Sequence, residues 1–453
     1  MKTEFDKKSV IRQRIQESLI HSTSHGIPSI ITSDNWILKV FWIIFTLIST
    51  GFCAFSIIQN ILNYYKYDVT TKIRFKYEVG SEFPSITVCN SNFFSSEKGY
   101  NFYLKSLDKK KLIENSLKEE DEFAHQLALK LNISEIKSLG DSLDKLIYET
   151  CLDNREFVMN NESFTYFFHL YFGNCYTFNP GHFENGTKAV PFKSYTTGFR
   201  AGLTMKLNTT DSLGLLNDAV VLIHEFQTSP NLADPLFIKP NLTTNIALKR
   251  TFSTQLPKPY SNCDSNTDDP KKFNSDLYKE IHDSSYKYSQ KLCQDLCFHK
   301  LLIQNCSCYT YEDGRFMEGE PCLTESGSEC NYDFSPYFVD MDFLNKICLP
   351  KCPLECNTKC FNKLITSTRK NKEFELIELK IYFEDNVITE IVENEVMDIF
   401  TLISNIGGTA GLFLGVSFLS FAEILAICIR VLLILNEGNK NNAQNTKSFI
   451  ITS

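Results

Sequence analysis

The sequence predicts an α+β membrane protein: two transmembrane helices bracket a large, disulfide-rich extracellular domain with a β core. Three observations predict it. Two long uncharged runs lie towards the ends of the chain, 14 of the 16 cysteines fall between them, and short segments of that intervening stretch alternate apolar and polar residues. A net charge of −8 suits an extracellular surface and gives no sign of nucleic-acid binding.

Residues 1–35 carry Lys2, Lys7, Lys8, Arg12 and Arg14 among the acids Glu4, Asp6 and Glu17, and the tail adds Lys440 and Lys447. The positive-inside rule then favours cytoplasmic termini. Val40 to Tyr65 is free of charge and long enough to cross a bilayer, so 36–65 is read as the first span. It starts too late and runs too long for the h-region of a cleaved signal peptide. Residues 66–395 form the extracellular body, 396–435 the second span and 436–453 a cytoplasmic tail.

Within the body, KIRFKYEVGSEFPSITVCN reads as extended chain, and residues 95–150 as peripheral amphipathic helices (KKKLIENSLKEEDEFAHQLALKL). GLTMKL, DAVVLIHEF and ELIELKIYFEDNVITEIV alternate as strands. Cysteines confined to this stretch indicate an oxidising compartment and up to seven disulfides. Sequons at Asn132, Asn161, Asn185, Asn208, Asn241 and Asn305 agree with an exported surface. Cys293 and Cys297 share a helical face, Cys306 and Cys308 are spaced as on one face of a strand, and Cys348, Cys352, Cys356 and Cys360 follow at fours. A zinc site is the competing reading; the location and the lack of a Cys-x-x-Cys knuckle favour disulfides, and no metal site is expected.

The second span is unusual. Ile399 to Ala422 is uncharged, yet holds Gly407, Gly408, Gly411 and Gly415, with Glu423 just beyond. Ser404, Gly408, Gly411 and Gly415 recur at steps of four, three and four and share one face. Such a face serves close helix packing or brings backbone carbonyls to ions. On an unbroken helix Glu423 would sit roughly 80° off that face.

FPSITVCN, GNCYTFNPG at 173–181, LPKPYSNC at 256–263, the Cys-x3-Cys-x8-Cys-x-Cys spacing, CPLEC, and SNIGGTAGLFLGVS followed by SFAE together resemble the degenerin/epithelial sodium channel superfamily. His25-Gly26 before the first span belongs to the same set. The resemblance covers nearly the whole chain and is greatest to the invertebrate and cnidarian peptide-gated (FMRFamide-type) branch. It implies a trimer with palm, finger, thumb, knuckle and β-ball parts above a six-helix pore. It implies the disulfides Cys89–Cys175, Cys263–Cys356, Cys293–Cys352, Cys297–Cys348, Cys306–Cys330 and Cys308–Cys322. Cys151 and Cys360 are left over and can pair with each other.

The resemblance further implies a Gly-x-Ser selectivity filter at Gly415-Val416-Ser417, where Val replaces the usual Ala or Ser. Gly411 matches an amiloride contact and Ser404 a position where bulk holds related channels open. Asp398 matches an acidic ring at the outer mouth, able to hold calcium; Glu423 is the inner pore acid. His25-Gly26 matches a gating dipeptide, and Tyr260 an aromatic at the thumb base that meets Tyr64, Tyr65 or Tyr67. No cofactor is expected beyond permeant sodium. Partners are sister subunits, membrane lipid and a neuropeptide.

Proton gating is the alternative, but Asp68 stands where acid-sensing relatives carry histidine, and Gln227-Thr228 replaces their acidic cluster. A subunit active only in a hetero-trimer is a second alternative, and a non-conducting two-span receptor a more distant one. An ATP-gated trimer would need a lysine-rich phosphate site. An enzyme is not indicated: there is no Ser-His-Asp set, phosphate loop or metal triad, and His224 and His299 read as isolated residues.

Overall fold

The computed structural model describes residues 20, 26–112, 120–153, 155–156, 163–169, 171–183, 187–230, 233–284, 286–309, 322, 325–334, 336–339, 341–369, 376–420, 422–423 and 425–429. His25, the sequons at Asn161 and Asn185 and the tail 436–453 lie outside them. The chain divides into two units, Thr71–Glu393 and a second made of Met1–Thr70 with Asn394–Ser453.

The first unit is built on two sheets. Across the larger, the order is Asn357–Arg369, Leu242–Thr254, Ile377–Glu395, Leu203–Leu207, Ile147–Leu152 and Arg155–Glu156, with Val69–Tyr77 also pairing with Ile377–Glu395. Leu203, Met205 and Leu207 are buried and the residues between are half-buried, the period-two pattern of a strand with one face on the core. Ile377, Leu379, Ile381 and Phe383 repeat it.

The smaller sheet runs Pro235–Ile238, Ala219–His224, Ser85–Asn90, Gly173–Phe178, Phe164–His169. Here the expected alternation of Ala219–His224 gives way to burial at every position. The reason is that both faces are covered. Ala219, Val221 and Ile223 enter the main core, while Val220 and Leu222 pack with Cys89, Phe167, Phe172 and Cys175 on the other side.

The two motifs nearest these strands are partners. Cys89 lies opposite Cys175 in the ladder and is bonded to it, with Cα atoms 4.3 Å apart. Asn179, buried with φ of 56°, donates from Nδ2 to the Phe83 carbonyl at 2.6 Å and accepts at Oδ1 from the Phe192 N–H at 2.9 Å. Ser85 Oγ donates to the Asn179 carbonyl at 2.8 Å.

Helices Glu97–Leu112, Glu120–Ala128 and Ile133–Lys137 fill most of the stretch 95–150, which ends in a strand rather than a helix. Two Ser-capped helices, Asp276–Asp283 and Gln290–Cys306, carry the next part. Two disulfides, Cys293–Cys352 and Cys297–Cys348, staple the second of them one turn apart. The other four pairs, Cys89–Cys175, Cys263–Cys356, Cys306–Cys330 and Cys308–Cys322, likewise match those the resemblance implies.

Two cysteine expectations are corrected. Cys306 and Cys308 do not share a strand: Cys306 ends the helix, and Ser307 stops it in the left-handed region at φ 54°. Cys360 also adds no rung to the ladder, and it is not bonded to Cys151. Their strands stand four places apart in the large sheet. At about 4.8 Å per strand that is roughly 19 Å, far beyond the ~7 Å a disulfide spans.

His224 is not isolated. Its Nε2 lies 3.0 Å from Thr87 Oγ1, which in turn meets Thr177 Oγ1 at 2.8 Å, and its Nδ1 lies 3.2 Å from Thr228 Oγ1. Burial pushes the imidazole down to about 4. Its unfolded value near 6.5 is higher, so the unfolded chain takes the proton first. Stability from this site is complete above pH ~6.5 and is lost as pH falls towards 4, by roughly 3 kcal/mol. Thermal unfolding of the solubilised full chain from pH 8 to 4 is expected to show this loss, and His224→Gln to flatten it.

Candidate functional site

The second unit holds the residues the sequence ties to ion passage. Helix Trp36–Tyr64 is 29 residues long with a mean hydropathy of 2.1 in its most apolar window, enough to cross a bilayer. Asn35 caps its start by accepting from the Ile37 N–H at 3.0 Å. Tyr64, Tyr65 and Tyr67 cluster at its end, with ring centroids 5.4 to 6.3 Å apart. The Val396 N–H then donates to the Asp68 carbonyl at 3.0 Å, tying the chain just after the first helix to the chain just before the second.

Asp398 opens the other helix, Ile399–Leu414. Its Oδ1 accepts from the Thr401 N–H at 2.8 Å, an N-cap that satisfies one of the free donors of the first turn. The acid expected at the pore mouth is therefore also a structural cap, a role the Asp-x-x-Thr spacing could have signalled. Leu402 is buried, and Phe413 stacks on Phe52 of the first helix at 6.4 Å. Ser404, Gly408 and Gly411 are exposed instead, and a Cβ added at Gly407 or Gly408 would meet no atom within 4 Å.

The helix stops where the filter is expected. Gly415 adopts φ of 70°, and its N–H donates to the Gly411 carbonyl at 3.0 Å. The Val416 N–H reaches the Ala410 carbonyl at 3.3 Å, and the Ser417 N–H donates to Ser420 Oγ at 2.9 Å. A new helical segment starts at Phe418, bent by 77° from the first. Ser420, whose hydroxyl caps this restart, is a functional candidate the sequence reading passed over; the Ser-x-x-Ser spacing carries the signal.

The consequence is chemical. The N–H groups that would close on the carbonyls of Leu412 and Phe413 belong to Val416 and Ser417, and both are committed elsewhere. Carbonyls that lose their intrahelical bonds inside an apolar segment need other donors or a polar path. Glu423 falls in the restarted segment and is half-buried, so its phase is no longer set by the glycine face.

Gly26 begins the short helix Gly26–Thr32, against the first long helix. A Cβ there would lie 2.6 Å from Thr46 Oγ1 and 3.0 Å from its Cγ2, so only glycine allows this approach. Thr46 was not singled out from the sequence, because nothing local marks it. Tyr260 lies in the other unit, half-buried in a turn closed by its N–H to the Pro257 carbonyl at 3.1 Å. Of the sequons described, Asn132, Asn241 and Asn305 are exposed and Asn208 is half-buried.

The family described as amiloride-sensitive sodium channel matches residues 19–427. The chain belongs to the amiloride-sensitive sodium channel family. Its relatives include the epithelial sodium channel subunit gamma of Neoceratodus forsteri, 28% identical over 63% of this chain and 46% of the relative. The FMRFamide-activated amiloride-sensitive sodium channel of Cornu aspersum is 26% identical over 67% of this chain and 48% of the relative. The acid-sensing ion channel 1 of Gallus gallus is 24% identical over 92% and 84%. The first two matches thus span about half the length of those relatives. The stretch SNIGGTAGLFLGVS lies within the matched residues and covers the small-residue face and the left-handed stop, ending just before the helix restarts.

Two outcomes test this geometry. Gly26→Ser should lower current at unchanged surface biotinylation, and adding Thr46→Ala should restore much of it, since the clash is with that side chain. Gly415→Ala places a Cβ in the left-handed region at about 1–2 kcal/mol; current should fall severalfold with expression retained.

Proposed function

We propose that the chain is a subunit of a trimeric, amiloride-blocked sodium channel of the plasma membrane, opened by an extracellular neuropeptide. The observation that carries this reading is the broken apolar helix, with two intrahelical bonds given up at its break and small residues on one exposed face. In this reading 36–65 and 396–435 span the membrane, 66–395 is extracellular and glycosylated, and both termini are cytoplasmic. Three copies pack their Ser404–Gly411 faces around an axis. Dehydrated sodium passes the belt Gly415-Val416-Ser417, and the free carbonyls replace its water. Amiloride binds above it at Gly411.

Asp398 keeps one carboxylate oxygen for the mouth while the other caps the helix; three such acids concentrate cations and can hold calcium. Glu423 lines the inner path after the bend. His25 and Gly26 form the gate element, and Tyr260 couples the ectodomain to the post-span tyrosines.

Peptide gating is favoured over proton gating by the ectodomain. His224 stays neutral through ordinary acidification, and Glu225 is committed to Lys287 at 2.9 Å. The FMRFamide-activated relative supplies the precedent. Proton gating is the second reading, favoured by the near-complete span of the acid-sensing relative. A subunit that works only beside sister chains is a third.

Voltage clamp of oocytes expressing the chain alone discriminates among them. Currents to FMRFamide-type peptides, blocked by amiloride and reversing near the sodium potential, are the expected result. Currents to pH 5 without peptide would replace it by proton gating, and silence to both, rescued by a co-expressed relative, by obligate hetero-assembly.

A further inference from the structure

A cavity of about 380 Å³ lies in the ectodomain unit, at one edge of the small sheet. Its walls are the strand Phe164–His169, the loop after Phe178, the loop after His224, and Tyr286. Its size is that of sites for small ligands. Four aromatic rings line it, those of Tyr166, Phe167, Phe183 and Tyr286. The described lining holds no Asp, Glu, Lys or Arg.

The polar groups of the lining mostly have partners already. Ser85 Oγ donates to the Asn179 carbonyl, Thr165 Oγ1 to the His182 carbonyl and Thr228 Oγ1 to the Glu225 carbonyl. Both nitrogens of His224 have partners, as described above. His182 differs: its Nδ1 is buried and has no hydrogen-bond partner among the described residues. Leaving a buried polar atom so is costly, and a ligand group reaching it would recover that cost.

We infer that this cavity binds an uncharged aromatic group bearing a primary carboxamide, the amidated aromatic end of a peptide. The rings take the aromatic side chain. The carboxamide offers both an N–H and a carbonyl, so it satisfies His182 in either tautomer. A free carboxylate would be buried there without a cation, at a heavy cost. Selection for amide over acid follows from the lining alone; that the occupant is the opening peptide rests on the function proposed above.

The test uses the full chain, His182→Ala, and the cavity-filling Thr165→Phe, each checked by surface biotinylation and amiloride block. Phe-amide-terminated peptides should open the wild type at least tenfold more potently than their free acids, and either substitution should raise the half-maximal concentration at least tenfold. N-acetyl-phenylalaninamide should compete with the peptide. Peptide currents with unchanged potency in both variants would overturn the cavity assignment while leaving peptide gating intact. If no peptide opens the channel, saturation-transfer NMR with N-acetyl-phenylalaninamide on the purified chain decides the cavity by itself. Binding lost in Thr165→Phe upholds the cavity although the gating reading falls; absence of binding overturns it.

Discussion

The parallel pairing of Leu242–Thr254 with Ile377–Glu395 is the constraint on which the rest of the ectodomain depends. Parallel neighbours cannot be joined by a tight turn; they need a long crossover. Residues 255–376 are that crossover, and they contain the stapled helices. The long strand also pairs with Leu203–Leu207 and Val69–Tyr77, and then runs on towards Asp398 and its helix. One strand therefore fixes the sheet order, leaves residues 255–376 as an excursion from it, and delivers the chain to the helix that Asp398 caps.

An excursion of that length is entropically expensive to close. Cys263–Cys356 closes it at its base with a sequence separation of 93. Inside that loop, Cys293–Cys352 and Cys297–Cys348 enclose separations of 59 and 51. The nesting matters because two rungs one turn apart stop the helix from both sliding and twisting against its partner segment. A single rung would leave it a pivot.

Much of this was legible in the residues, and the failures have physical causes. The long apolar helix Trp36–Tyr64 and the period-two strands follow from charge and alternation. Cys306 and Cys308 misled because spacing alone cannot show a helix stopping between them at a left-handed serine. Ala219–His224 was read as one-sided, since a strand buried on both faces shows no alternation to find. The His224 network was invisible for another reason: Thr87 and Thr177 lie on strands far away in the chain. In the second apolar run, the resemblance pointed to Gly415-Val416-Ser417 but not to the turn made there, because the caps at Asp398 and Ser420 are geometry rather than composition. The Gly26–Thr46 contact was hidden in the same way.

The left-handed stop at Gly415 has a consequence for how such a site tolerates change. The groups it releases are main-chain carbonyls, which every residue type carries. A valine at position 416 brings the same oxygen as an alanine or serine would. Substitution there alters girth and side-chain bulk while leaving the number of acceptors as it was. The position with less freedom is the one before it, where the left-handed backbone conformation penalises a side chain. Substitutions at such a stop should therefore be tolerated at 416 and resisted at 415.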